Sequence, residues 1–281
     1  MCLFLNSLGE LEVLGALGES IVLLVAETRA NAILSFQTIT FFFISGFLYS
    51  SMHADFKDIK AIVVDIDGTL TDMKRLISLE AVREMRQMPI PVILSSGNVI
   101  CFVRAASKLM GASDMMIGEN GGVVLAGFDA KAIVLADIGR CRQARGVLKK
   151  EFPELEPLDE IYRKSELAFR RNIDVGKARR IMAEQFPELE IVDTQFALHL
   201  KHRSVNKATG MRKIAEIMGL EPKNFAAMGD SENDLPALKD AGVALAVGNA
   251  ASELKAVADY VSKAPYGEGA AEAFAWLRSK L

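Results

Sequence analysis

Cysteine is scarce in this chain of 281 residues: Cys2, Cys101 and Cys141 are the only three, and no two form a CxxC pair. So odd and scattered a set excludes a disulfide framework and argues against a cysteine-held zinc site. It favours a reducing compartment, with the cytoplasm as the default. A surplus of charge is missing too. With a net charge of -3 and 25% charged residues, the chain carries neither a basic footprint for nucleic acid nor an acidic tail. Partners must therefore be read from sites, and a homo-oligomer stays open.

Charge disappears altogether between Ala30 and Met52, where "ILSFQTITFFFISGFLYS" is long enough to be weighed as a membrane-spanning helix. No basic start precedes it and the apolar run lies far from residue 1, which disfavours a secretory signal. Gln37, Thr38, Thr40 and Ser45 also weaken a spanning reading. The preferred expectation is that Met52 is the initiator, because "MHADFKDIKAIVVD" leads straight into an apolar run. Residues 1–51 would then be a hydrophobic extension outside the body. If the extension anchors the protein instead, Lys57 and Lys60 just after it favour a cytoplasmic body.

From Met52 onward, short apolar runs alternate with helical stretches: "AIVVD", "PVILSSG", "DMMIGENGG", "NFAAMGD" and "GVALAVGNA". This alternation predicts an α/β fold with a parallel sheet covered on both faces. Ser78 can cap a helix with Leu79, Val82 and Met85 on one face. Met211, Ile214, Ala215 and Met218 mark another helix, which stops at Gly219. Between Gly127 and Arg203 the texture changes to charged helices and alternating strands, "ELAFRRN" and "FALHLKH". "FPELE" occurs twice there, at Phe152–Glu156 and Phe186–Glu190, each time closing a helical stretch. We expect an inserted module at 127–203, built from two helix-then-strand units around a small antiparallel sheet, within a core of 52–126 and 204–281.

Three apolar runs end in polar groups that an open parallel sheet would gather beyond its carboxyl edge. Asp65 and Asp67 close the first; Ser95, Ser96, Gly97 and Asn98 close the second; Asp230, with Ser231, Asn233 and Asp234, closes the third. Four carboxylates in one crevice repel one another unless a divalent cation neutralises them, and an all-oxygen set suits Mg²⁺. A calcium loop of the EF-hand kind is disfavoured because its sixth position would be Leu70 and its twelfth Leu76.

One carboxylate can also attack phosphorus while a second protonates the leaving alkoxide and later deprotonates water. Asp65 and Asp67 fit these two roles. Unaided hydrolysis of phosphate monoesters is slower than the catalysed reaction by up to ~10²¹-fold, so the phosphoryl oxygens need strong neutralisation. The metal, Lys207, the Ser96 hydroxyl and the Gly97 backbone N–H are the candidates. Arg170, Arg171, His199 and Lys201 are available for the rest of a substrate, each more simply read as part of a solvated strand face.

"DIDGTLT", "LSSGN", "VNKATG" and "GDSENDLPAL" together resemble, in order, the four motifs of the haloacid dehalogenase superfamily of phosphatases, over nearly all of 52–281. The resemblance implies a Rossmann-like, doubly wound core with an inserted α+β cap. It implies Asp65 as nucleophile and Mg²⁺ ligand, Asp67 as acid/base with its carbonyl on the metal, and Ser96 and Lys207 on the phosphate. Asp230 would bind the metal, Asp234 would assist it, and Asn233 would reach the phosphate. Within the superfamily the chain looks most like the archaeal-type phosphoglycolate phosphatases, so a small phosphomonoester is the implied substrate and 2-phosphoglycolate the leading one. The rivals are a sugar-phosphate phosphatase, a phosphosugar mutase and, outside enzymes, a catalytically silent membrane-tethered binding module.

Overall fold

The apolar runs become strands of one sheet in the computed structural model, which describes residues 2–5, 11–14, 20–23, 56–194 and 196–281. The chain divides into two units, 1–53 and 54–281. In the first, β1 (Cys2–Leu5), β2 (Leu11–Leu14) and β3 (Ser20–Leu23) pair antiparallel in that order. The uncharged stretch weighed as a membrane span, and Met52 with it, lie outside the described residues. Among the described residues no helix is long and apolar enough to cross a membrane.

The second unit is built on eight strands. These are β4 (Ala61–Asp65), β5 (Val92–Ser95), β6 (Met115–Gly118), β7 (Val123–Ala126), β8 (Ile133–Val134), β13 (Phe225–Gly229), β14 (Val243–Ala246) and β15 (Tyr260–Val261). Their order is β15-β14-β13-β4-β5-β6-β7-β8, parallel from β15 to β6 and antiparallel at the β7 and β8 edge. Every residue of β4, β5, β13 and β14 is buried. That burial on both faces explains why these strands read as unbroken apolar runs. β4 lies between β5 and β13, so the chain order reverses there and opens a crevice at the strands' carboxyl ends.

Helices α1 (Leu79–Met85), α2 (Ile100–Met110), α5 (Lys207–Met218), α6 (Leu235–Asp240), α7 (Ser252–Lys255) and α8 (Tyr266–Arg278) accompany this sheet. Ser78 caps α1 as expected, accepting from the Ala81 N–H at 3.3 Å. Of the expected apolar face, Met85 is buried and Val82 packs partly buried on the core, but Leu79 is 80% exposed and Ala81 is buried in its place. Seven residues, just under two turns, follow the cap, and α8 packs against them, joined through an Arg278–Glu84 ion pair of 2.7 Å.

A smaller layer inserts between β8 and α5. Its own elements begin with α3 (Ile138–Glu151), since residues 133–134 still pair with β7. β9 (Pro157–Leu158), β10 (Leu167–Phe169), β11 (Leu189–Asp193) and β12 (Leu198–His202) form an antiparallel sheet in the order β11-β12-β10-β9, backed by α3 and α4 (Val175–Gln185). A separate apolar core joins them, with Leu148, Phe152, Met182, Phe186 and Leu200 at its centre. The repeated "FPELE" has a physical role here: Phe152 and Phe186 each end a helix and turn back into this core.

Candidate active site

Asp65 ends β4 opposite Ser95 of β5, and Asp230 follows directly on β13, so the topology alone brings these groups to one edge. Asp65, Asp230 and Asp234 can each offer an oxygen within 4.8 Å of the others. Lys207 enters the cluster as the first residue of α5. Its approach is fixed by a capping box in which Asn206 accepts from the Thr209 N–H at 3.1 Å and Thr209 Oγ1 accepts from the Asn206 N–H at 3.2 Å. The buried ammonium donates to Asp65 Oδ1 at 2.5 Å and to Asp234 Oδ1.

The remaining contacts sort the acids by function. Asp234 Oδ2 accepts from the backbone N–H groups of Asp230 and Ser231, both at 3.1 Å, so this carboxylate is held at both oxygens. Asp230 Oδ1 accepts from the Thr69 hydroxyl at 3.2 Å. Asp65 Oδ2 is buried and has no hydrogen-bond partner among the described residues. Gly68, at φ +90°, must be glycine: a Cβ there would stand 2.5 Å from Asp230 Oδ2. Asn249 ties the same loop down, donating to the Gly68 carbonyl at 2.9 Å.

Burial raises the Asp65 carboxyl well above the ordinary range; Lys207 opposes this, and Asp234, Asp230 and Asp67 add to it. Asp230 is pushed up to about 7, first by burial and then by Asp234, against the pull of Lys207 and Thr69. For Lys207, burial acts downward but the charges of Asp234 and Asp65 outweigh it, and its affinity for the proton rises. One ammonium does not neutralise three acids. The unpartnered Asp65 oxygen and the all-oxygen donor set fit a small hard divalent cation.

Such a cation must displace the Asp230 proton to bind. Its apparent affinity is therefore expected to fall as the pH drops below about 7, by up to about tenfold per unit. Calorimetric titration with Mg²⁺ at about pH 6 and about pH 8 measures the effect, and equal affinities would contradict it.

Asp67 stands at the mouth, with Oδ2 accepting from Asn98 Nδ2 at 2.7 Å and lying 3.5 Å from the Ser96 hydroxyl. Ser96 Oγ in turn accepts from the Asn98 N–H at 3.0 Å, whereas Ser95 Oγ is buried with no partner among the described residues. Asn233 donates to Asn120 Oδ1 at 3.0 Å. Asp65, Asp67, Gly97, Asn98, Ser231 and Asn233 line one crevice with Arg163, Phe196 and His199 of the smaller layer.

Sequence reasoning brought Asn98 to the crevice edge without giving it a role, and it did not find Thr69, Asn249 or the groups that tie the two layers together. Glu119 accepts from the Lys164 and Ser165 N–H groups at 2.9 and 2.7 Å, and Asn120 donates to Glu166 Oε2 at 3.0 Å. The one available signal was "GENGG", whose Glu119, Asn120 and Gly121 all have positive φ. The solvated-face reading of "FALHLKH" is also corrected, since His199 and Lys201 are only 4% and 5% exposed. Their face of β12 is covered rather than open to water: His199 meets Glu166, and Lys201 meets Glu190 and the Val205 carbonyl. Arg170 and Arg171 do lie on the surface, paired with Glu156 and Asp193.

A family model described as haloacid dehalogenase-like hydrolase matches residues 62–138 and 145–274. A protein of Methanosarcina acetivorans called phosphoglycolate phosphatase is 44% identical over 220 residues, covering 78% of this chain and 97% of its own length. Its namesake in Archaeoglobus fulgidus is 46% identical over 218 residues, covering 78% and 96%. Among solved structures, a Thermoplasma acidophilum protein matches with TM-score 0.72 and 29% identity, over 79% of this chain and 99% of that one. A Bacteroides thetaiotaomicron phosphatase of the haloalkanoate superfamily shares the fold at TM-score 0.66 and 19% identity, over 79% and 96%.

Proposed function

The chain belongs to the haloacid dehalogenase-like hydrolases, and on that premise we propose that it is a Mg²⁺-dependent phosphatase that converts 2-phosphoglycolate to glycolate and phosphate. The relatives called phosphoglycolate phosphatase supply the substrate. The cluster of Asp65, Asp230 and Asp234 around Lys207, with one Asp65 oxygen unpartnered, supplies the chemistry.

In this reading Asp65 is the nucleophile. Its carboxylate attacks phosphorus, the P–O bond to the glycolate oxygen breaks, and Asp67 protonates that oxygen as it leaves. Asp67 then takes a proton from water, which hydrolyses the phosphorylated Asp65. Asn98 holds Asp67 for both steps. Lys207, the Ser96 hydroxyl and the Gly97 N–H bear on the phosphoryl oxygens, with Asn233 beside them. Lys207 also holds Asp65 and Asp234 in register. The Asp65 and Asp230 carboxylates and the Asp67 carbonyl would hold Mg²⁺, with Asp234 supporting Asp230 through its backbone N–H. When bound, the ion would supply the positive charge that keeps Asp65 ionised and offsets charge on the transferred group. The smaller layer, within 127–203, serves as the cap over the crevice, and the body works in the cytoplasm.

A panel of phosphomonoesters with and without Mg²⁺ tests the proposal. Phosphate release from phosphoglycolate in Mg²⁺, lost in EDTA and weak with hexose phosphates, is expected. The reverse preference would replace this reading with a sugar-phosphate phosphatase, and no metal-dependent turnover of any ester, generic aryl phosphates included, would replace it with a silent binding module.

A further inference from the structure

The crevice that holds Asp65 and Asp67 has a second wall with a different chemistry. There the lining comes from the smaller layer and from the loop after β4, and its basic side chains are Arg75, Arg163 and His199. They face Asp159 on the same lining, besides the acids of the cluster. Arg163 is largely committed: its Nη1 donates to Glu166 Oε1 at 2.6 Å and the Gly97 carbonyl at 3.2 Å, and its Nε to the Leu158 carbonyl at 3.3 Å.

His199 is held but not spent. Its Nδ1 lies 2.7 Å from Glu166 Oε1, and Glu166 is itself fixed by Arg163 and Asn120. Burial alone would raise the Glu166 carboxyl, but the charge and hydrogen bond of His199, with Arg163 and Asn120, hold it below the usual range. A carboxylate so placed fixes the orientation of the ring and turns Nε2 away from Glu166. Nε2 has no partner among the described residues, and the ring's Cε1 would stand 3.0 Å from a Cβ at Gly97, so it packs directly against the backbone next to Ser96. A side chain at position 97 would displace it.

Among the described residues, Arg75 is held only by an ion pair and a ring. Its guanidinium lies over the Phe196 ring at 4.8 Å and its Nε is 3.5 Å from Asp67 Oδ1, yet it makes no hydrogen bond among the described residues. Phe196 and His199 belong to the cap, and Arg75 belongs to the core loop, so His199 and Arg75 reach the crevice beside Asp67 from both layers.

We propose that His199 and Arg75 together bind the carboxylate of the substrate while its phosphoryl group sits at Asp65, making them the residues that select an anionic two-carbon leaving group. The assignment rests on the phosphoglycolate reading. Two charge-assisted hydrogen bonds to a carboxylate, from a ring on one side and a guanidinium on the other, reward that group and nothing in a neutral alkyl chain.

Steady-state kinetics of the full-length protein in Mg²⁺, with phosphoglycolate and with ethyl phosphate, which has the same carbon count but no carboxylate, tests it. Wild type should prefer phosphoglycolate. His199→Gln should lose about 10- to 100-fold in kcat/KM for phosphoglycolate, carried mainly by KM, and only a few-fold for ethyl phosphate. Arg75→Gln should shift selectivity in the same direction. Because the Arg75 side chain is 49% exposed, that variant decides the matter should His199→Gln unfold in a thermal melt. Equal losses on both esters would overturn the His199 and Arg75 assignment and leave the phosphoglycolate reading standing. A wild type with no preference for phosphoglycolate would overturn that reading and the assignment together.

Discussion

Asp65→Asn should lower kcat/KM by at least about 10⁴-fold on every phosphomonoester the protein hydrolyses, without costing it the fold. The substitution removes the carboxylate proposed to attack while keeping its shape, and the amide oxygen can still accept from Lys207. Stability should move the other way. The folded state raises the Asp65 carboxyl above its value in the unfolded chain, so it favours the neutral form. At a pH above the ordinary carboxylate range the wild type bears part of that cost, and the isosteric neutral amide does not. Stability contributed by the retained proton is full in acid and is lost as the pH rises through the folded-state value. In EDTA at about pH 8, the variant should therefore melt no lower than wild type, while its turnover is gone. Retained turnover would mean that another group attacks phosphorus. A large drop in melting temperature would mean that Asp65 is held chiefly for structure.

Lys207→Met is the converse case. The ammonium is the cation among three buried or half-buried acids, and it touches two of them. Its loss leaves carboxylates in low dielectric with no counter-charge, and stripping one partner from a buried pair costs about 3–5 kcal/mol. Chemical denaturation in EDTA at about pH 8 should show a loss of that order. Acidification to about pH 5 should shrink it, because Asp230 then carries a proton of its own and Asp65, whose carboxyl is also raised, takes one up more readily than an ordinary carboxylate. Mg²⁺ should recover part of the loss, since it restores positive charge to the same cluster. Activity should fall by about 10²–10³-fold even when Mg²⁺ has restored the fold, through lost stabilisation of the phosphoryl oxygens. A variant as stable as wild type in EDTA would show that the three acids do not interact as the geometry requires.

What the sequence could disclose followed the reach of local rules. "AIVVD" and "FAAMGD" announce doubly buried strands with acids at their tips, and a parallel sheet then has only one edge at which those acids can meet. "VNKAT" reads as a capped helix start, which is why Lys207 points where it does. The links between the layers obey no local rule. Glu119 meets Ser165 and Asn120 meets Glu166 across 46 residues, and His199 meets Glu166 across 33. His199 and Lys201 sit in a strand whose alternation predicts one dry and one wet face. Here the second face is covered by other polar groups, and alternation cannot distinguish water from a buried carboxylate as the partner. Leu79 failed for a related reason: in a helix of under two turns, the face that is buried depends on what packs against it.

The proposed chemistry turns on a divalent ion shared by Asp65 and Asp230. Crystals soaked in Mn²⁺ and measured at the manganese edge test it most directly. One anomalous peak in contact with both carboxylates, absent from Asp230→Asn crystals treated alike, is the predicted result. A crevice without that peak, in a protein whose turnover is unaffected by EDTA, would contradict it.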